Sequence, residues 1–183
     1  ALDGVALIRF FGHFYSGKIK FLVNDLLMHI KPLAPVFLPI NKYGSQAKES
    51  SLQINNAYES DEQMLIFPAG LCSRLQHGKI KDLEWKKTFI AKAVQSQRDI
   101  IPIYFEGRNS TFFYRFAQIR KCIGLKFNIE LIYLPDEMFN SKNKTFDIYI
   151  GKPIPWQTFD KSKSLQEWAQ IVKEKVYQIK KNQ

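Results

Sequence analysis

Short apolar runs that end in turn residues alternate along this chain with segments whose apolar residues recur at helical spacing, and this alternation limits the possible folds more than any other feature. Lys18–Val23, Val36–Ile40, Gln63–Phe67, Asp99–Phe105, Asn128–Leu134 and Thr145–Ile150 read as strands, with Pro39 and Pro102 marking a strand end and an edge or bend. Helices are expected after Asp3, over the short stretch Leu26–Ile30, and over Ser45–Glu59, Leu83–Ser96, Thr111–Ile123 and Ser164–Lys181. The pattern predicts an α/β fold in which helices flank a mixed, mostly parallel central sheet. No repeat or low-complexity linker interrupts it, so residues 1–183 read as a single domain with room for a real core.

Charge narrows the choice of partner. The chain carries 27 Lys and Arg against 17 Asp and Glu, a net +10, which favours an anionic partner: nucleic acid or an acidic membrane surface. No nucleic-acid-binding motif is present and the basic residues are spread rather than gathered on one helix, so no nucleic-acid partner is expected. Residues 111–129 hold Arg115, Arg120, Lys121 and Lys126 among aromatics with no acid, the composition of a segment that rests on anionic lipid. Arg115, Arg120 and Lys121 are therefore the expected membrane contacts, while Phe112 and Phe116 suit either that surface or a sheet-covering face. No run of 18 apolar residues occurs, so no bilayer span is expected. Cys72 and Cys122 lack zinc spacing and read as free thiols of a reducing compartment.

The stretch LIFPAGLCSR, Leu65 to Arg74, leaves a buried strand through a turn built on Pro68 and Gly70, then supplies a cation. A glycine there lets the backbone come close to a bound group. Three other stretches belong with it: Leu2-Asp3-Gly4, Phe37-Leu38-Pro39-Ile40-Asn41-Lys42 and Ile100-Ile101-Pro102-Ile103-Tyr104. In chain order the four resemble the four blocks of the glycerolipid and lysophospholipid acyltransferase family, above all its bacterial hemolysin-like branch. They cover roughly the first three-fifths of the chain, from Asp3 to about Gly107.

The resemblance implies an O-acyltransferase of the glycerol-3-phosphate acyltransferase-like fold. In the first block of that family Asn-His precedes the aspartate; the histidine takes the proton of the acceptor hydroxyl and the aspartate orients the imidazole. Asp3 matches the aspartate, and the sequence begins after the histidine, so the 183 residues alone are expected to be a poor catalyst. Read from the residues alone, Asp3 is a helix N-cap, and the two roles are compatible. The second block ends in a basic residue that lines the acceptor site, here Lys42 where arginine is more usual. In the third, Phe67, Pro68, Gly70 and Ser73 stand in register, but Ala69 replaces a glutamate, Cys72 replaces an arginine, and Arg74 lies two positions later as a substitute. These departures weaken the case for a glycerol-phosphate acceptor and leave room for another hydroxylated lipid; the expected acceptor is a lysophospholipid or an amino-acid-containing lipid. The family needs no metal or cofactor; acyl-CoA or acyl-ACP serves as co-substrate, which makes an acyl carrier protein or CoA thioester, a lipid acceptor and an anionic membrane surface the expected partners, on the cytoplasmic side of the inner membrane.

Other histidines have plainer readings. His77 and Asp82 share the spacing of a catalytic pair but follow the third block, where a solvated loop is expected, and Cys72 with His77 lacks a third member for thiol catalysis. His13 and His29 read as ordinary core or rim residues. The competing class is a non-catalytic basic module that binds anionic lipid or nucleic acid.

Overall fold

The computed structural model describes residues 2–23, 31–40, 45–125 and 127–180. Helix α1 (Leu2–Phe14) buries Leu7, Ile8 and Phe11 on one face. That face packs on strand β1 (Ile19–Val23), whose alternate residues Ile19, Phe21 and Val23 are buried in the same cluster. β1 is the middle of a parallel three-stranded sheet in the order β2-β1-β3, with β2 at Phe37–Pro39 and β3 at Gln63–Leu65. A parallel pair needs a crossover, and α2 (Ser45–Glu59) supplies it between β2 and β3. The short helix expected at Leu26–Ile30 lies outside the described residues, as do His29 and Lys42.

After β3 the chain forms a hairpin of β4 (Arg74–Gln76) and β5 (Lys79–Lys81). The stretch expected to be a loop closes it: His77 and Gly78 have φ of 48° and 76°, the mirror-turn backbone that two-residue hairpins favour. Helix α3 (Thr88–Ser96) starts later than its periodicity predicts. The reason lies in α6 (Leu165–Ile179), whose Lys173, Gln166 and Gln170 donate hydrogen bonds to the carbonyls of Asp82, Leu83 and Trp85 and hold that stretch extended. A reciprocal cap between Ser164 and Glu167 fixes the start of α6.

β6 (Ile103–Glu106) pairs antiparallel with β7 (Asp147–Ile150), and Ile103 and Ile148 pack on the β1 cluster. Between these strands lie α4 (Thr111–Cys122), a 3-10 turn at Ile129–Tyr133 and α5 (Leu134–Phe139). The strand expected at Asn128–Leu134 is therefore helical over most of its length, and Glu130 within it is completely buried. A second core joins α3 and α6 through Phe89, Ile90, Ala169, Val172 and Val176. The whole is the mixed α/β arrangement that the sequence predicts, with a parallel sheet at its centre.

Candidate active site

The residues that follow β3, Ile66 to Ser73, line an apolar cavity of about 1670 Å³. Ligands of parallel α/β sheets bind at this position, beyond the carboxyl ends of strands. The volume exceeds the roughly 300–1,000 Å³ of an ordinary small-molecule pocket and leaves space for a long chain as well as a head group. Asp3, Phe67, Pro68, Gly70 and Ser73 all line it.

The first and third blocks, more than sixty residues apart in sequence, meet through Gly4. A Cβ at that position would stand 3.2 Å from the Phe21 ring and 3.6 Å from the Phe67 ring, and the two rings meet edge to face at 5.1 Å. Glycine after Asp3 thus lets the start of α1 settle on the aromatic floor of the turn. The Asp3 carboxylate accepts the Gly4 N–H at 2.9 Å and sits in the first helical turn, where the helix dipole favours a negative charge. Cys72 lies within its field. Burial above all, with Asp3 adding to it, holds that thiol above the usual cysteine range, so it stays protonated and is a poor nucleophile.

Ala69 is buried among Trp85, Phe89 and Ile90, so the residue that replaces the family glutamate belongs to the core. Gly70 has φ of 69°, a left-handed conformation that suits glycine, and its N–H donates to the Phe67 carbonyl at 2.9 Å. Ser73 donates to Asp82 at 2.5 Å, and the other oxygen of that carboxylate accepts the Trp85 indole N–H at 3.1 Å. Asp82 therefore belongs to Ser73 and Trp85, while His77 stands exposed at the hairpin tip.

Arg74 takes a different place from the one expected of an acceptor-site cation. Its guanidinium turns away from the cavity to contact Glu130 at 2.7 Å, donates to the carbonyls of Cys72 and Ser73, and lies over the Phe113 ring. Arg120 is a second correction: its Nε lies 2.8 Å from the other Glu130 oxygen, off the line of a hydrogen bond, and its terminal nitrogen donates to the Leu125 carbonyl. A fully buried carboxylate needs such partners, so both arginines are committed to the interior. Arg115 and Lys121 remain exposed on α4. Around them Phe112, Ile119 and Ile123 are also exposed. Phe112 and Phe116 stack at 5.7 Å with Tyr133 edge-on to both, whereas the inward face of α4 is Phe113, Tyr114 and Ala117.

The cation that does reach the turn is Lys86, which the sequence reading passed over. A Cβ at Gly70 would stand 2.9 Å from its Nζ, and its own N–H donates to the Pro68 carbonyl at 3.1 Å. It lies within a stretch that reads as helix, and only the extended path of the chain there turns it toward Gly70.

The architecture is shared with a protein of known structure. The crystal structure of the 1-acyl-sn-glycerophosphate (LPA) acyltransferase, PlsC, from Thermotoga maritima shares the fold, with a TM-score of 0.51 and 15% identity over 89% of this chain and 57% of that one. A family model described as Acyltransferase matches residues 1–183, and the chain belongs to that family. Two curated relatives, each named lyso-glycine lipid O-acyltransferase, are 56% identical in Bacteroides thetaiotaomicron and 54% identical in Phocaeicola vulgatus, each over 177 residues or 97% of this chain. The chain spans 65% and 63% of their lengths.

Proposed function

We propose that this chain carries the site of a lipid O-acyltransferase whose acceptor is a lysolipid bearing a glycine unit. The observation that carries the reading is the meeting of Asp3 and the Phe67–Ser73 turn on the wall of one large apolar cavity. The acyltransferase family and the names of its two curated relatives support it. So does the turn itself, which lacks the glutamate and arginine of the glycerol-phosphate pattern.

In this reading the acceptor hydroxyl oxygen attacks the carbonyl carbon of an acyl thioester on acyl carrier protein or CoA. The histidine that precedes the aspartate in this family takes the hydroxyl proton, and Asp3 orients the ring and stabilises the imidazolium. The tetrahedral intermediate collapses, the C–S bond breaks, the thiolate leaves with the proton from the imidazolium, and the ester remains. No acyl-enzyme forms. A net charge of +10 suits docking of an acidic carrier protein as well as an anionic bilayer. No helix among the described residues is long and apolar enough to cross a membrane. We place the membrane contact, on the cytoplasmic side of the inner membrane, at the outer face of α4 with Arg115 and Lys121.

The test is steady-state kinetics of the full-length protein with an acyl thioester and a glycine lysolipid. Asp3→Asn should lower kcat by roughly 10³–10⁴-fold with little change in acceptor KM. An unchanged kcat would remove Asp3 from the mechanism. A panel in which lysophosphatidic acid is clearly the best acceptor would overturn the glycine-lipid assignment.

A further inference from the structure

The geometry points to Lys86 as the anchor for a carboxylate on the acceptor, held over the Gly70 turn. The inference rests on the glycine-lysolipid reading above and specifies how the head group is recognised.

Among the described residues, the cations of the third-block region are otherwise engaged. Arg74 is bound to Glu130 behind the turn. Of the other cations lining the cavity, Arg98 donates to the carbonyls of Tyr58 and Glu62, and Lys180 pairs with Glu106. Arg108 and Lys144 belong to the β6–β7 end, after Glu106 and before Asp147. Lys86 stands at the turn itself: its exposed ammonium makes no hydrogen bond or ion pair with the described residues, and its backbone is tied to the turn. Trp85 beside it is buried and tied to Asp82, and the Lys86 N–H is bonded to Pro68 across the turn. The side chain is thereby aimed at the space above Gly70, where any Cβ would meet it.

A single ammonium is a compact point charge and makes no bidentate fork, so it suits a monoanionic carboxylate better than a phosphate that needs several cations. This chemistry also orients the acceptor. A glycine joined to the lipid through its nitrogen keeps a free carboxylate for Lys86, whereas one joined through its carboxyl group would present an ammonium and be repelled. With the carboxylate at Lys86, the acyl part of the acceptor extends into the apolar cavity that Asp3 also borders.

The experiment measures equilibrium binding of a detergent-dispersed N-(hydroxyacyl)glycine lysolipid, whose free hydroxyl can accept the acyl group, and of its methyl ester to the full-length protein, with turnover in the presence of an acyl thioester recorded in parallel. Wild type should bind the acid about tenfold more tightly than the ester, the amount one charge-assisted hydrogen bond supplies. Lys86→Gln should bring the ratio close to one, and Lys86→Arg should preserve most of it. Lys87→Gln removes the same charge from an exposed neighbour outside the cavity lining and should leave the ratio unchanged. A ratio that survives Lys86→Gln, or falls equally in Lys87→Gln, overturns the anchor. Binding that follows this pattern without turnover of either lipid would uphold the anchor and overturn the acyltransferase reading, so the two failures are distinct.

Discussion

Ala69 sits where the family carries a glutamate, and its methyl group is 8% exposed among Trp85, Phe89 and Ile90. Restoring the family residue with its side chain on the path of the Ala69 methyl would force a carboxylate toward an apolar cluster, away from the Lys86 ammonium on the cavity side. Ala69→Glu should cost about 3 kcal/mol or more of stability, read as a lower urea midpoint; an unchanged midpoint would mean that the side chain turns into the cavity instead. Tyr58 poses the opposite case. Its hydroxyl is buried without a hydrogen-bond partner among the described residues, and burial pushes its pKa up to about 12, against a pull from Arg98. Below about pH 10 folded and unfolded chains both hold the phenolic proton. Between pH 10 and 12 the unfolded chain loses it first, so stability falls through that window and the loss is complete above it. Tyr177, also pushed up to about 12 by burial, contributes with the same sign. Tyr58→Phe should be neutral or stabilising by about 1 kcal/mol at pH 7 and should flatten the loss near pH 11, as thermal melts at the two pH values would show.

At the scale of elements, α4 turns one of its cations inward and leaves two exposed. Arg120 faces inward to Glu130, so Arg120→Glu would set two carboxylates against each other in the interior and should cost about 3–5 kcal/mol. Arg115→Glu and Lys121→Glu change exposed positions and should stay within about 0.5 kcal/mol of wild type. The exposed pair should nonetheless weaken binding to anionic vesicles in a flotation assay; binding equal to wild type would remove α4 from the membrane surface. The same helix shows why parts of the fold are hard to read from sequence. Ser164 onward is legible because period and cap agree locally, and Ser45–Glu59 is legible from its polar, amphipathic pattern. Residues 128–134 read as a strand because Ile129, Leu131 and Tyr133 alternate with other residues, yet Glu130 is the most buried residue there. Its partners arrive from positions 74 and 120, which no local pattern contains. The hairpin at His77-Gly78 reads as a solvated loop, although two residues fit for left-handed backbone separate the alternating Arg74–Gln76 and Lys79–Lys81. The charged composition of that stretch hid the signal.

For the molecule as a whole, the family blocks were readable because they follow one another in the family's order despite the departures at Lys42, Ala69 and Cys72, and the fold gathers the first and third around one cavity. Lys86 was not readable, since its place depends on α6 side chains holding residues 82–85 extended. Net charge acts at this scale too. If attraction to anionic lipid and burial of the α4 face act together, raising ionic strength should weaken binding to anionic vesicles and leave any binding to neutral vesicles unchanged. Equal salt sensitivity on both would assign the binding to something other than these two terms. Glu130 grips Arg74 beside the acceptor turn with one oxygen and Arg120 on α4 with the other. Neither can shift relative to the other without stranding a buried charge, so the turn and the α4 face keep a set spacing. Were that face to rest on a bilayer, the spacing would act as a ruler, setting the height of the Gly70 turn above the membrane.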